Sequence, residues 1–481
     1  MNKSIFSVFF IFAGSLVYAQ NVNDAVRYSF QDYAGTARHT AVGASMSALG
    51  GDLAAMSQNP AAIGLFRWSD LTLTGGLYST DTKSTLGLEI LKKNYSQFNV
   101  TNLGIVMVHR PIGSKWKTSN LGLSITQTND FNTRFDFRGT SEGSLTYSLA
   151  DKADGLSPDQ LNDFDTRLAY ETGAIYDFEG DNQYEYDLIL ANDREVQKEQ
   201  LVTEKGHKKE FVIGVGANYD EKLMLGGSVS IPFVEFEQEK NYRESDQNDK
   251  VEFFNALRFE EYLNTSGSGL KASAGLIYVV NKYLRLGAAF HTPTRYRMSD
   301  VYFTTFIYDF TEDGERQEIS RLSPSGNFNY RFISPWRAAA SIGVIMGKRG
   351  FLSGDVEYVP YQKSKFRIGD DPTYERQLNQ NIADQLSQGI NIRGGSELAF
   401  GKFRIRGGLA FLSPVRKNGD SAKIYGSGGL GFRGNKFYID LAYRIGTHQA
   451  DYSPYQTGDI YPVVSQNRLN QLGLITLGFK Y

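Results

Sequence analysis

Residues 210–233 read EFVIGVGANYDEKLMLGGSVSIPF. Phe211, Ile213, Val215 and Ala217 share one phase, while Gly214, Gly216 and Asn218 hold the other. After Asp220-Glu221 the apolar phase resumes with Leu223, Leu225, Val229 and Ile231. A period of two on both sides of a two-residue turn spells a β-hairpin with one apolar face.

Working outward, the device recurs. Leu270 to Val280 turns at Asn281-Lys282 into Tyr283 to His291, and Trp336 to Met346 turns at Lys348-Arg349-Gly350 into Phe351 to Tyr361. Ile390 to Phe400 turns at Gly401-Lys402 into Phe403 to Pro414, and Ile424 to Arg433 turns at Gly434-Asn435 into Phe437 to Ile445. Upstream stand Leu71 to Ser79, Phe98 to Arg110 and a strand from Trp116 onward; the chain ends on LGLITLGFKY. The count is about fourteen strands.

Connection lengths carry more information than the count. Short turns fall near 111–115, 220, 281, 349, 401 and 434. Long polar connections fall near 80–96, 139–208, 243–265, 298–334, 362–387, 414–421 and 449–470. Such alternation predicts an all-β transmembrane antiparallel barrel of the bacterial outer membrane, with short periplasmic turns and long extracellular loops. Ile475, Leu477, Phe479 and Tyr481 close the last strand on one apolar face. A mean hydropathy of −0.36 fits a barrel, because only alternate residues meet lipid. Within the long connections, Ser157-Pro158 and Asp371-Pro372 are helix-start signals ahead of 157–177 and 372–388. Both stretches are read as solvated outer loops.

The opening MNKSIFSVFFIFAGSLVYA has Lys3, an apolar run from Ile5 to Val17 and a small-residue cleavage site at Val17-Tyr18-Ala19. Residues 1–19 are therefore expected to be a secretory signal peptide. Residues 69–481 are expected to form the barrel with its long extracellular loops. Residues 20–68, with the Ala/Gly/Ser-rich run ARHTAVGASMSALGGDLAAM, are expected to form a partly helical hatch plugging a lumen of this width.

A net charge of −2 gives no reason to expect a nucleic-acid partner. Absence of cysteine excludes disulfides, thiolate metal sites, a cysteine nucleophile and a lipoprotein anchor. The five histidines, His39, His109, His207, His291 and His448, have no metal-ligand spacing. There is no P-loop, H-E-x-x-H or nucleophile elbow, so neither cofactor, metal nor catalytic residue is expected. Gly426-Ser-Gly428-Gly429-Leu-Gly431 matches a dinucleotide fingerprint but lies inside an alternating strand, where it reads as barrel wall. With the apolar phase outward, Arg285, Arg337, Arg393, Arg404, Arg406 and Arg444 face the lumen with Asp355, Glu357, Glu397 and Asp440. Glu397 and Arg406 should meet across the Gly401-Lys402 hairpin. Two readings stand: a paired network anchoring the plug, or a charged track for the head group of an amphipathic solute.

The chain resembles the FadL/TodX-type outer-membrane transporters of hydrophobic compounds, in the version common in Bacteroidetes. The carrying residues are Gly35-Thr36-Ala37-Arg38, Ala41-Val42-Gly43, Ala48-Leu49-Gly50-Gly51-Asp52 and Asn59-Pro60-Ala61, supported by GGSVSIPF (226–233), GAAFHTPTRY (287–296) and SPWRAAASIG (334–343). The resemblance implies passive uptake of long-chain fatty acids or similar compounds through an apolar pocket. Ligand would leave laterally beside a kinked third strand, here about Trp116 to Arg138, with Gly122 or Asn129-Asp130 as the kink. It makes Asn59, Pro60 and Ala61 gating residues of the hatch close to that kink, and Gly35, Arg38, Gly50, Gly51 and Asp52 its family motif. Expected partners are a hydrophobic small molecule such as a fatty acid, outer-membrane lipid and lipopolysaccharide, and the barrel assembly machinery; the barrel is expected to be a monomer. The competing reading is an adhesin or structural protein acting through the long loop 139–208.

Overall fold

A computed structural model describes residues 21–187, 196–247, 250–369, 371–455 and 461–481. The expected signal peptide, residues 1–19, lies outside the described residues.

Nineteen ladder segments close into one antiparallel sheet whose last strand pairs with its first, Asp70 opposite Lys480. Segments that continue one another join into fourteen barrel strands. These are β1 (Asp70–Leu86), β2 (Glu89–His109), β3 (Trp116–Asp130 and Thr133–Ser141), β4 (Val196–Tyr219), β5 (Leu223–Ser245), β6 (Phe254–Val279) and β7 (Leu284–His291 and Arg295–Glu312). There follow β8 (Glu315–Leu322, Gly326–Ile333 and Arg337–Ile345), β9 (Gly350–Pro360 and Lys365–Arg367), β10 (Gln388–Phe400), β11 (Phe403–Leu412), β12 (Lys423–Arg433), β13 (Phe437–Tyr452) and β14 (Val464–Lys480).

The β4–β5 hairpin turns where its sequence requires, with Tyr219 opposite Leu223. Asp220 and Glu221 both adopt positive φ (53° and 55°), the twist of a two-residue turn that follows the strands. Ile213, Val215, Leu225 and Val229 are exposed on the outer surface, as are Leu71, Leu73, Leu77, Ile439, Leu441, Ile475 and Leu477 on β1, β13 and β14. In water this belt would be a liability; in a membrane it is the lipid contact. Aromatic pairs such as Trp116–Tyr219, 5.1 Å apart, and Phe403–Phe432, 5.5 Å apart, ring its periplasmic end.

Three expectations about the outer side are corrected. Residues 298–334 are largely strand, pairing Arg295–Glu312 with Glu315–Leu322 and Gly326–Ile333. The same holds for 80–96, which turns only at Gly87-Leu88, and for much of 243–265 and 196–208. Ladder hydrogen bonds do not need an apolar face, so strands run on into water after the alternation that reports lipid has ended. Second, Pro372–Gln385 is an α-helix rather than a solvated loop: Asp371 caps the Thr373 and Tyr374 amides and Pro372 takes the first helical position. Third, the long second loop carries helices Leu145–Ala153 and Thr166–Glu171. The Ser157-Pro158 signal starts only a single 3-10 turn, Pro158–Gln160.

Inside the barrel sits the N-terminal segment: helix α1 (Val22–Ser29), an extended stretch, short helix α2 (Ala37–Ala41) and 3-10 turns Leu53–Ser57 and Pro60–Leu65. Above it an aromatic layer joins Tyr28 and Phe30 to Phe332, Phe366 and the buried Leu378 and Ile382 of the 372–385 helix. A second apolar cluster under the 145–171 helices closes the outer end.

Candidate functional site

The residues of the N-terminal segment fold into one polar knot. Thr36 caps α2 by accepting the His39 N–H (3.1 Å), and its hydroxyl donates to Asp52 Oδ2 (2.7 Å). Asp52 caps the next turn through the Ala54 N–H (3.0 Å). Gly35 permits that approach, because a Cβ there would stand 2.1 Å from the Ala54 Cβ. Gly50 and Gly51 turn the chain at φ of 59° and 66°, a region only glycine enters freely. Arg38 then spans from the Gly51 carbonyl (2.9 Å) to Glu397 of β10 (3.1 Å). Asn59 is fully buried. Its Oδ1 caps the Pro60–Leu65 turn at the Ala61 N–H (3.0 Å), and its Nδ2 donates to the carbonyls of Ser47 (2.9 Å) and Leu276 on β6 (3.3 Å). Glycines make room for this turn: a Cβ at Gly275 would lie 1.9 Å from Asn59 Oδ1, and one at Gly226 2.4 Å from the Ala61 nitrogen.

Charged side chains of the wall grip the knot. Glu357 accepts from Arg337 (3.2 Å), Arg393 (3.1 Å) and Asn391 (3.0 Å), and Arg337 also reaches the Ser29 carbonyl. Arg406 donates to Glu397 and to Asp440, 2.7 Å each. Arg404 is the outlying member, 3.8 Å from Glu397. Arg285 donates to the Leu49 carbonyl (3.0 Å), and Asp355 accepts from the Ser47 hydroxyl (2.6 Å). Arg444 takes Asp32 in both hands, at 2.6 and 2.9 Å. Burial pushes the Asp32 carboxyl up, but the Arg444 guanidinium outweighs it and holds the group below the usual carboxylate range. Buried charges left unpaired would be costly. Arg285, Arg337, Asp355, Glu397 and Arg444 bond to the plug, and the other charges pair with them or with one another along the wall, which ties wall and plug together.

One stretch of wall is incomplete. β2 pairs β3 only where Asn102–His109 faces Thr126–Ser119. Beyond Thr126, β3 leaves β2, slips register against β4 between Gln127 and Asn129, and breaks at Phe131-Asn132 before resuming at Thr133. The extended plug segment fills the space from inside. Asp32 donates its N–H to the Thr128 carbonyl (2.8 Å), Ala34 to that of Gln127 (3.4 Å), and the Gly35 carbonyl accepts from Thr101 of β2 (3.2 Å). Polar side chains line the gap: the Asp130 carboxylate accepts from Asn132 (2.7 Å), Gln127 (3.3 Å) and Asn99 (3.4 Å).

No protein-family model matches the chain, and no curated protein matches it either. Solved structures do. A FadL homologue of Pseudomonas aeruginosa aligns with 94% of this chain and 99% of its own at a TM-score of 0.59 and 11% identity. The toluene transporter TodX of Pseudomonas putida aligns with 94% of this chain and 100% of its own at a TM-score of 0.55 and 12% identity. The chain has the FadL-type fold.

Within this FadL-type barrel the kink falls at Asn129–Asn132, not at Gly122. Gly122 lies in an unbroken ladder, where a Cβ would meet the Met56 sulfur at 2.9 Å. The third strand runs on to Ser141 rather than ending near Arg138. Asn59, Pro60 and Ala61 are not the plug residues that touch the kink; they seat against Gly226 of β5 and Gly275 of β6, while Asp32 and Ala34 meet the kinked stretch. Asp32 was not among the sequence candidates. Neither were Lys208, whose ammonium donates to the carbonyls of Tyr28 (3.0 Å) and Phe30 (2.6 Å), nor the buried pair Lys271–Glu210 at 2.8 Å. The available signal was phase: Lys208 and Glu210 fall on the inward beat of the same alternation that sends Phe211 and Ile213 outward.

Toward the outer mouth of the FadL-type barrel, under the 145–171 helices, lies a cavity of about 230 Å³. Leu145, Leu149, Phe164, Phe259 and Tyr302 line it together with the polar Asn162, Gln200, Glu261 and Thr304, and Lys152 pairs with Asp165 at 3.4 Å. Such a mixture of apolar surface and polar groups suits an amphipathic small molecule.

Proposed function

We propose that this chain is a passive outer-membrane channel for hydrophobic small molecules, long-chain fatty acids or compounds of similar character. The observation that carries the reading is the incomplete wall: β3 parts from β2 at Gln127, and a plug segment, not a strand, occupies the gap. A ligand would enter the cavity beneath the 145–171 helices, pass the aromatic layer and leave sideways into the bilayer as the Gln31–Gly35 segment gives way. Binding in apolar surroundings, rather than sieving through water, is how such a solute crosses a polar leaflet. The TodX likeness, to a toluene transporter, and the FadL likeness support hydrophobic ligands as a class. Against the adhesin reading, the second loop turns Leu145, Leu149, Leu168 and Ile175 inward onto the barrel mouth, as a cover would.

The test is uptake of a labelled fatty acid and of a neutral aromatic compound into vesicles carrying the purified barrel. Flux above empty vesicles for either ligand is expected. Shortening Gln31–Ala34 by two residues should raise it, and absence of flux in both proteins would sink the reading. Excising the second loop up to residue 195, which spares the barrel strand that begins at Val196, should keep flux, where an adhesin would lose binding.

A further inference from the structure

The outer surface of the wall carries a groove of about 990 Å³ that the transport route does not use. It crosses β2, β1, β14, β13 and the start of β12 just beyond the apolar belt. On β1 the lipid-facing phase Leu71, Leu73, Leu77 continues outward through Ser79 and Asp81 to Lys83. On β2 the phase of Phe98 and Val100 leads to Asn94 and Lys92. Lys83 and Lys92 are direct register partners, and like charges opposite one another repel. Among the described residues neither has a carboxylate within 4.0 Å. The acid of the groove, Asp81, is already occupied, accepting from Asn94 (2.8 Å) and Gln471 (2.9 Å). Ile424 and Leu469 line the lower side of the groove.

Directly below, the belt is hollowed. The outward phase of β12 is Ile424, Gly426, Gly428, Leu430, and Gly407 on β11 is the register partner of Gly428. A Cβ on Gly407, Gly426 or Gly473 would meet nothing within 4 Å, so these glycines open onto the bilayer and are not required by packing. Gly426 and Gly428 of the dinucleotide-like run thus line a furrow in the lipid face, flanked by the exposed Leu409 and Tyr443, while Gly429 and Gly431 face the lumen.

We infer that this groove and furrow bind a phosphate-bearing, multiply acylated lipid of the outer leaflet, with its phosphate on Lys83 and Lys92 and an acyl chain along the glycines. An unpaired ammonium pair at the membrane boundary is met by a lipid phosphate, and the furrow supplies apolar surface that one chain covers. The barrel would carry a fixed lipid beside β1, on the wall segment that adjoins β2 and the gap.

Native mass spectrometry of the detergent-purified barrel tests this with three probes: a bis-phosphorylated hexa-acyl glucosamine-disaccharide lipid, the same lipid without phosphates, and inorganic phosphate. The phosphorylated lipid is expected to be retained one per barrel, tenfold or more above its dephosphorylated form. Lys83→Gln with Lys92→Gln should abolish that preference, and Gly426→Leu should cut retention of both lipids. Heat-dependent migration on gels verifies that each variant is folded. Equal retention of the two lipids, equal retention by folded wild type and the double lysine variant, or binding of inorganic phosphate without lipid would each overturn the assignment.

Discussion

The two ends of the lumen are filled by different physics. Near the periplasm the plug is fastened by directional contacts, Arg38 to Glu397, Arg285 to the Leu49 carbonyl, Ser47 to Asp355 and Asn59 against two carbonyls. The wall itself is braced by Glu357 between Arg337 and Arg393 and by Arg406 between Glu397 and Asp440. Toward the outside, the aromatic layer of Phe30, Met298, Phe332 and Phe366 and the loop cluster above it are held by apolar contact. Directional bonds tolerate little displacement, whereas apolar side chains can repack around a guest of similar volume. A channel that binds greasy solutes from outside and stays shut to ions needs that division. Among the described residues, the only plug contacts that replace wall ladder are those of Asp32 and Ala34, so under the proposed function the gate is expected there.

The largest effect should come from breaking a buried charge triad. Glu357→Ala leaves Arg337 and Arg393 unpaired and should cost about 3–5 kcal/mol of barrel stability, read from denaturant unfolding in detergent. Met298→Leu in the apolar layer should cost less than about 1.5 kcal/mol. If the two cost the same, the contrast between the ends is wrong. Next is a steric break: Gly275→Val drives a side chain into Asn59 Oδ1 and should unseat the plug without unfolding the wall. Stable ion conductance in planar bilayers should appear where the unmodified barrel gives little; a quiet Gly275→Val barrel would mean the plug yields elsewhere.

A smaller effect is expected at the gap. Asp32→Asn removes the charge that Arg444 holds and should cost about 2 kcal/mol, with uptake raised because the segment opens more readily. The sign with pH follows from the lowered carboxyl. The unfolded group titrates near about 3.9, so the stabilisation is complete above that value and is lost only as pH falls through the lower folded value. Uptake should therefore stay flat from neutral pH down to about 4; a transition between pH 5 and 7 that disappears in Asp32→Asn would contradict this.

The barrel was legible because lipid enforces alternation, and because Arg337, Arg393, Glu397 and Arg406 interrupt that alternation on the inward beat. Glu397 and Arg406 even face one another as their hairpin requires. Where lipid ends, the outward signal ends: residues 298–334 are ladder whose apolar phase, Met298, Phe306, Tyr308, Tyr330 and Phe332, turns inward, and the cap at Asp371-Pro372 was written in the chain but outweighed by its polarity. The kink was undecidable for a different reason. Asn129-Asp130 breaks the wall through loss of pairing to β2, a long-range event, whereas Gly122 is needed by the Met56 side chain. Asp32 sits in an extended stretch with neither period nor motif, and only its partners, Arg444 and the Thr128 carbonyl, reveal it.

The smallest effect tests Asn59 itself. Removing the cap with Asn59→Ala should cost about 1 kcal/mol and leave a folded barrel. Asn59→Asp keeps an oxygen for the Ala61 N–H but places a carboxylate against the Ser47 and Leu276 carbonyls, which now receive a donor. If the motif works by fastening the plug to β6, Asp should be worse than Ala in both stability and closure to ions. If it serves only as a turn cap, Asp should be as good as Asn and Ala the worse of the two. Pro60→Ala, which loosens the turn without touching either carbonyl, should shift uptake less than either.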